Sequence, residues 1–206
     1  MTGPLRSVAL NCSLKRGEGT SSTDRLLGDV NRALTRLGVE TTAPIRVANH
    51  VIRPGVRSDE GDGDEWPALR RRILESNILV FGTPIWLGHP SSIAQLVLER
   101  MDAFLGELDD EGRMFSYGKV AIIAVVGNED GAHHVVAQLA QGLNDVGFSF
   151  AASASTYWVG EAMGKIDYAD LDETPEAVAV STLAAATNAT HLARLLVDAE
   201  FPPSLG

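Results

Sequence analysis

The first loop of the chain concentrates side chains that can bind an anion. Hydroxyl and lysine residues follow the apolar run SVALNC, namely Ser13, Lys15, Thr20, Ser21, Ser22 and Thr23. A helical pattern begins directly after them, and hydroxyls with free N–H groups at a helix N-terminus bind phosphate without net positive charge. The loop therefore predicts a phosphate monoester site. The alternative is a solvated turn with an ordinary Ser/Thr helix cap.

A second loop, GTPIWLGHPSS (82–92), carries apolar surface where a loop is normally polar. Two prolines stiffen it, and Ile85 and Trp86 supply the apolar area. We predict that a flat heteroaromatic ring lies against this surface. Packing of Trp86 into the core or a subunit interface is the equally weighted alternative.

A third loop, GNEDGAHH (127–134), links a strongly apolar run to a helical pattern. Asn128 and Asp130 are candidates to cap that helix, and Gly131 can adopt a positive φ. We predict that this loop holds the polar edge of the same ring.

Other chemistries lack support in the residue spacing. His133 and His134 are adjacent and point in different directions on a helix, so they do not form a metal pair. The acidic stretch 58–65 lacks the ligand spacing of a calcium loop and is interpreted as solvated. Cys12 ends the first apolar run without a Cys–His pattern around it. We therefore predict neither a metal site nor a catalytic side chain.

Apolar runs alternate with helical patterns along the chain. The candidate strands are 7–12, 39–47, 78–83, 120–127 and a last region within 148–160. Buried strands joined by helices form parallel sheets. We predict an α/β three-layer sandwich with a five-stranded parallel sheet of order 2-1-3-4-5, as in flavodoxin-like folds. The three loops then meet at the carboxyl ends of the strands, where such sheets bind ligands. Asp64 is expected to cap a helix over 65–75, and Thr174 the last helix.

Composition limits the class of protein. The 206 residues fit one domain, 1–206, and the net charge of −10 argues against nucleic acid and anionic membranes as partners. One cysteine allows no internal disulfide. The N-terminal residues lack the apolar core of a signal peptide, and the longest apolar run is too short to span a membrane. We expect a soluble, cytoplasmic protein.

Together the stretches NCSLKRGEGTSST, GTPIWLGHPSSIAQLVLERMD, GKVAIIAVVGNEDGAHHVVAQLAQGLNDVGFSF and TYWVGEA resemble the flavodoxin-like, NAD(P)H-dependent FMN reductase family. The resemblance covers roughly residues 7–161. It implies a non-covalent FMN and NAD(P)H as co-substrate. It also implies a phosphate site formed by Ser13, Lys15, Ser21, Ser22 and Thr23, and a ring site formed by Thr83, Pro84, Ile85, Trp86, Leu87, Gly88, Asn128, Glu129, Asp130 and Gly131.

The resemblance further implies two-electron transfer to flavin, a quinone or a similar small acceptor, in a homodimer. The long first loop favours this reductase over a flavodoxin-type one-electron carrier. A cofactor-free binding module on the same fold remains a third alternative. Tyr157 and Trp158 line an acceptor pocket, a dimer interface or the core. The sequence leaves the acceptor, the choice of NADH or NADPH, and the oligomeric state open.

Overall fold

The five main strands of the sheet are parallel, and the three loops singled out in the sequence follow the carboxyl ends of three of them. A computed structural model describes residues 3–203. Five strands pair in the order β2-β1-β3-β5-β6, and a short β4 pairs antiparallel with the end of β3. Their bounds are β1 Ser7–Asn11, β2 Ile45–Arg46, β3 Ile78–Trp86, β4 His89–Pro90, β5 Val120–Gly127 and β6 Ser155–Val159. Without β4, this is the predicted 2-1-3-4-5 order, so the predicted fold class is confirmed.

Five helices cover the two faces of the sheet. They are α1 Ser22–Arg36, α2 Trp66–Leu74, α3 Ser92–Met101, α4 Ala132–Asp145 and α5 Glu176–Asp198. One apolar core joins α1 and α5 to the sheet, and a second core lies under α2, α3 and α4. Because β3 and β5 are buried on both faces, their sequences are nearly continuous apolar runs. No helix within residues 3–203 has the length and apolar character needed to cross a membrane.

Several sequence-based expectations need correction. The second strand has two residues rather than nine, because Pro44 lacks an N–H and the preceding Glu-Thr-Thr is polar. The last helix has Pro175 at its N-cap, and the Thr174 hydroxyl donates to the Asp29 carboxylate instead of capping. The single-domain prediction, 1–206, includes residues 1–2 and 204–206, which lie outside the described part of the chain, and it stays a prediction.

The acidic stretch 58–65 was expected to be solvated, which is wrong for Asp64. The side chains of Asp64 and Arg100 are fully buried and form an ion pair of 2.8 Å. Arg100 also donates to the backbone oxygens of Arg53 and Arg57, both at 2.7 Å. A buried guanidinium on α3 therefore fixes the loop that precedes α2. Among residues 3–203, no three His, Cys, Asp or Glu side chains are grouped as metal ligands.

Candidate functional site

A pocket of about 440 Å³ opens at the carboxyl ends of β1, β3 and β5. Its position is the crevice where the strand order reverses, between β1 and β3. The lining residues are Ser13, Leu14, Lys15, Ser21, Ser22, Thr23, Pro84, Ile85, Trp86, Leu87, Val126, Gly127, Asn128, Glu129, Trp158, Met163 and Asp167. All three loops singled out in the sequence contribute to it.

One end of the pocket is polar and lies at the N-terminus of α1. Ser21 is the N-cap, and its Oγ accepts from the Asp24 N–H at 3.4 Å. The Ser13 side chain is buried, and its Oγ has no hydrogen-bond partner within residues 3–203. A buried hydroxyl without a partner is costly unless a ligand or water pairs with it. This end of the pocket can therefore donate a hydrogen bond to an anionic oxygen.

Asn11, at the end of β1, joins the two sides of this loop. Its Oδ1 accepts from the Ser13 N–H at 2.8 Å, and its Nδ2 donates to Ser21 Oγ at 3.4 Å and to the Asp24 carboxylate. The Asn11 side chain is fully buried. The start of the loop and the cap of α1 are therefore held at a fixed separation before any ligand arrives.

The opposite end of the pocket is apolar. Trp86 is 53% exposed and Leu87 89% exposed at the tip of the β3–β4 hairpin, while Ile85 beneath them is buried. Leu87 has a φ of 53°, and its N–H donates to Glu129 Oε1 at 3.1 Å. Trp86 is thus not packed into the core of this chain, and its ring exposes a flat apolar surface beside the pocket.

Four predicted site residues do not line the pocket: Thr83, Gly88, Asp130 and Gly131. The Thr83 hydroxyl accepts from the Ser91 N–H at 3.1 Å and donates to the Pro84 oxygen at 3.0 Å, so it braces the turn from within. Gly131 has a φ of 120°, as expected, and a Cβ there would lie 2.8 Å from Gly88 Cα. These two glycines pack the hairpin tip against the start of α4.

The expected caps of α4 also differ. Its N-cap is Gly131, and no side chain caps the helix. Asp130 Oδ1 accepts from the Gly131 N–H at 2.7 Å, whereas Asn128 donates to Asp167 at 3.1 Å and to the Gly164 oxygen at 3.3 Å. Asn128 therefore fixes the segment after β6, which the expectation for this residue had missed.

That segment supplies lining residues that sequence reasoning did not find. Met163, which is 91% exposed with a φ of 61°, and Asp167 both border the pocket. The segment is anchored to α1, where Ser22 Oγ accepts from the Ala169 N–H at 3.2 Å and Tyr168 OH donates to Asp29 at 2.6 Å. Burial and the hydrogen bond to Asp29 raise the pKa of Tyr168 to about 12, so this phenol remains a donor. Leu14, Val126 and Gly127 are the other lining residues that were missed, whereas Trp158 was already a candidate for the wall of an acceptor pocket.

Tyr157 and Trp158 lie on opposite faces of β6. Trp158 lines the pocket and packs on Tyr168, with ring centroids 5.5 Å apart. The Tyr157 hydroxyl lies 3.0 Å from His133 Nε2, outside the pocket. The alternation of side chains along a strand explains why only one of the two reaches the site.

One lysine and two carboxylates are among the charged side chains that line the pocket. Lys15 lines the polar end, and its Nζ donates to the Thr20 oxygen at 3.3 Å. Glu129 and Asp167 are the carboxylates that line it. Cys12 lies at the foot of this loop, but burial raises the pKa of its thiol well above the ordinary value, which keeps it protonated.

Comparison with known proteins gives one family match and two curated relatives. A family model described as NADPH-dependent FMN reductase matches residues 5–163. 8-Demethyl-8-aminoriboflavin-5'-phosphate synthase of Streptomyces davaonensis is 35% identical over 168 residues, which are 77% of this chain and 65% of that protein. A Mycobacterium bovis protein named divalent metal cation transporter MntH is 35% identical over 170 residues, 81% of this chain. The chain spans only 25% of that second relative's length.

Solved structures with flavodoxin-like folds are similar over almost the whole chain, and two of them serve as examples. RosB with bound 8-demethyl-8-formylriboflavin-5'-phosphate, described as an intermediate, is 32% identical with a TM-score of 0.85, covering 96% of this chain and 82% of RosB. The apo form of the NADH:FMN oxidoreductase EMOB is 16% identical with a TM-score of 0.69, covering 98% and 95%. The second similarity concerns the fold alone.

Proposed function

The chain belongs to the NADPH-dependent FMN reductase family, and from that premise we propose that it is an FMN-dependent oxidoreductase acting on a small acceptor. The family match confirms the resemblance drawn from the three loops, and with it FMN as cofactor and NAD(P)H as co-substrate. The proposed overall reaction is NAD(P)H, a proton and an oxidised acceptor giving NAD(P)⁺ and the two-electron-reduced acceptor. Flavin, a quinone or a similar small molecule is the proposed acceptor.

The orphaned Ser13 hydroxyl is the observation that carries the proposal. It is buried, without a partner among the described residues, and it lines the pocket beside the N-terminus of α1. A phosphate monoester supplies the acceptor oxygen that this hydroxyl lacks, and the helix N-terminus favours its charge. The residues present therefore fit the phosphate end of FMN.

The remaining lining residues suit the rest of the same molecule. We propose that Ser13, Lys15, Ser21, Ser22 and Thr23 hold the phosphate, and that Pro84, Ile85, Trp86, Leu87, Asn128 and Glu129 surround the ring. When bound, FMN supplies the hydride chemistry, because its ring accepts a hydride from a nicotinamide and returns it to an acceptor. We propose that the hairpin tip and Met163 border the place of the flat partner and position it, which hydride transfer requires.

The direct test mixes FMN-loaded protein anaerobically with NADPH and, separately, with NADH while the flavin spectrum is recorded. We expect bleaching by at least one nucleotide and recovery of the oxidised spectrum on adding a quinone. If neither nucleotide bleaches the flavin while chemical reductants do, the reductase proposal fails and the one-electron carrier is favoured. If the purified protein retains no flavin after titration with FMN, the cofactor-free module is favoured.

A second candidate function treats the flavin as the substrate. The similarity to 8-demethyl-8-aminoriboflavin-5'-phosphate synthase and to RosB with its bound 8-formyl flavin favours a flavin-modifying enzyme. Extraction of the flavin after turnover and measurement of its mass separates the two candidates. An unchanged FMN mass supports the reductase, whereas a changed substituent on the ring supports the modifying enzyme.

Location and assembly belong to the same proposal. The net charge of −10 and the single, buried cysteine suit a reducing, cytoplasmic compartment. Trp86, Leu87 and Met163 expose apolar area around the pocket mouth, which a second copy of the chain would cover in a homodimer. Light scattering during gel filtration gives the molar mass that tests this arrangement.

A further inference from the structure

A buried arginine stands behind the polar end of the pocket. Arg46 of β2 has a side chain only 9% exposed and forms an ion pair with Asp24 in the first turn of α1. Its Nη2 also donates to the Gly19 oxygen at 2.9 Å, and its Nη1 donates to the Gly17 oxygen. Neither Arg46 nor Asp24 lines the pocket. The guanidinium therefore contacts the first loop and the first turn of α1 from outside the pocket.

Asp24 does not line the pocket but contacts Ser21, a residue of the proposed phosphate site. Its N–H donates to Ser21 Oγ, and its carboxylate accepts from Asn11 Nδ2, which also donates to that same Ser21 Oγ. A carboxylate in the first helical turn is stabilised by the helix dipole, but it competes with a phosphate for the same positive end. Without a neighbouring positive charge, the Asp24 carboxylate would repel a phosphate dianion bound at Ser13 and Ser21.

The loop oxygens present the same difficulty. Carbonyl oxygens of Gly17 and Gly19 would also repel phosphate if they turned into the pocket, but neither residue lines it and Arg46 donates to both oxygens. The Gly17 N–H is fixed in turn by Asn49 Oδ1 at 2.7 Å. A single guanidinium thus pairs with three groups that are unfavourable to an anion.

We propose that Arg46 is a positioning residue that gives the site its selectivity for a phosphate-bearing flavin over one without phosphate. It acts by neutralising Asp24 and by holding the Gly17 and Gly19 oxygens away from the pocket. The inference rests on the proposed function, since it takes FMN to be the ligand. It adds a residue on β2, outside the three loops, to the determinants of phosphate recognition.

The test compares the dissociation constants of FMN and riboflavin by flavin fluorescence in the apoprotein. For R46M we expect FMN affinity to fall about tenfold, because an uncompensated carboxylate then faces the phosphate, while riboflavin affinity changes little. The double variant R46M/D24N removes that carboxylate and is expected to recover most of the selectivity. R70M is the matched control, because Arg70 is also a partly buried arginine paired with a carboxylate, Glu107, and lines no part of the pocket.

Each outcome bears on the inference. The inference is overturned if R46M loses FMN and riboflavin affinity equally, or if R46M/D24N does not recover the selectivity for FMN. If thermal denaturation shows that R46M is not folded, the single variant D24N tests the inference. D24N leaves the Arg46 charge without its carboxylate partner, so it should increase the affinity for FMN but not for riboflavin. A wild-type protein that binds both flavins equally overturns the proposed phosphate site itself, and the Arg46 inference with it.

Discussion

The Glu129 carboxylate accepts a hydrogen bond from the Leu87 N–H at 3.1 Å, joining two loops that are 42 residues apart. The bond fixes the tip of the β3–β4 hairpin, where Leu87 has a φ of 53°. It also leaves a negative charge at the apolar end of the pocket. A ring bound there meets a wall that is held in place and a carboxylate beside its polar edge.

This charge predicts the effect of E129Q on the bound flavin. Reduction adds electron density to the ring, and a nearby carboxylate opposes it. E129Q retains an oxygen that can accept from Leu87 but removes the charge. We therefore expect the two-electron midpoint potential to rise by about 30 mV. Equilibration with reference dyes measures it. D130N is the matched control, because Asp130 pairs with the Gly131 N–H outside the pocket, and an equal rise in D130N would contradict the argument.

The unpartnered hydroxyl of Ser13 predicts opposite effects on stability and on binding. In S13A, the apoprotein loses a buried group that has no partner, so its free energy of unfolding should stay within about 1 kcal/mol of the wild type or rise. FMN affinity should fall about tenfold, because a hydrogen bond to a charged phosphate is lost.

Ser7, the first residue of β1, offers a control. Its Oγ is also buried without a partner among residues 3–203, but it lies at the other end of β1, away from the pocket. S7A should leave FMN affinity unchanged. Similar FMN affinities for S13A and wild type, measured by fluorescence titration, would remove Ser13 from the phosphate site.

Much of the fold could be predicted because its central strands are unambiguous. β5 consists of seven apolar residues and a glycine, and burial on both faces demands such a run. β2 was overestimated because only Ile45 and Arg46 continue the ladder after Pro44. The N-cap of α1 could also be predicted, because capping depends only on a hydroxyl residue directly before the helical pattern.

The missed parts of the site depend on tertiary structure. Asp167 and Met163 reach the pocket because Asn128 binds their segment across 36 and 39 residues and α1 binds the residues that follow. Thr83 was assigned to the ring site by the family resemblance; it does not line the pocket, and its hydroxyl accepts from the Ser91 N–H, a contact that the sequence does not signal. The role of Arg46 has no local signal, because its partners lie 22 to 29 residues away.

The close approach of two glycines predicts an unusually costly alanine substitution. In G131A, the new Cβ would stand 2.8 Å from the Gly88 backbone at a φ of 120°, so strain and overpacking add to about 3 kcal/mol of lost stability. G118A is the matched control, because Gly118 also has a positive φ of 78° but open space around it, and strain alone costs about 1 kcal/mol there. Urea denaturation measures both, and equal losses would contradict the packing argument.

The ion pair between Asp64 and Arg100 predicts a pH-dependent contribution to stability. Burial alone would raise the pKa of Asp64, but the Glu60 N–H, the Arg100 guanidinium and the Trp66 N–H donate to it and together lower that pKa below 3.8. A carboxyl whose pKa is lower in the folded state stabilises the protein above its unfolded pKa, and that stabilisation is lost as the pH falls through the folded value.

At neutral pH, D64N leaves the Arg100 charge buried without its counter-ion and should cost about 3 kcal/mol of unfolding free energy. The difference in unfolding free energy between wild type and D64N should have its full size above about pH 4 and become smaller below it. Protonation of Asp64 at low pH removes the same charge from the wild type that D64N removes. D59N tests the loop without the ion pair, since Asp59 is exposed and pairs only with the Gly61 N–H among the described residues. Urea denaturation between pH 3 and 7 measures all three proteins, and a gap that stays constant across this range would show that Asp64 does not act through its charge.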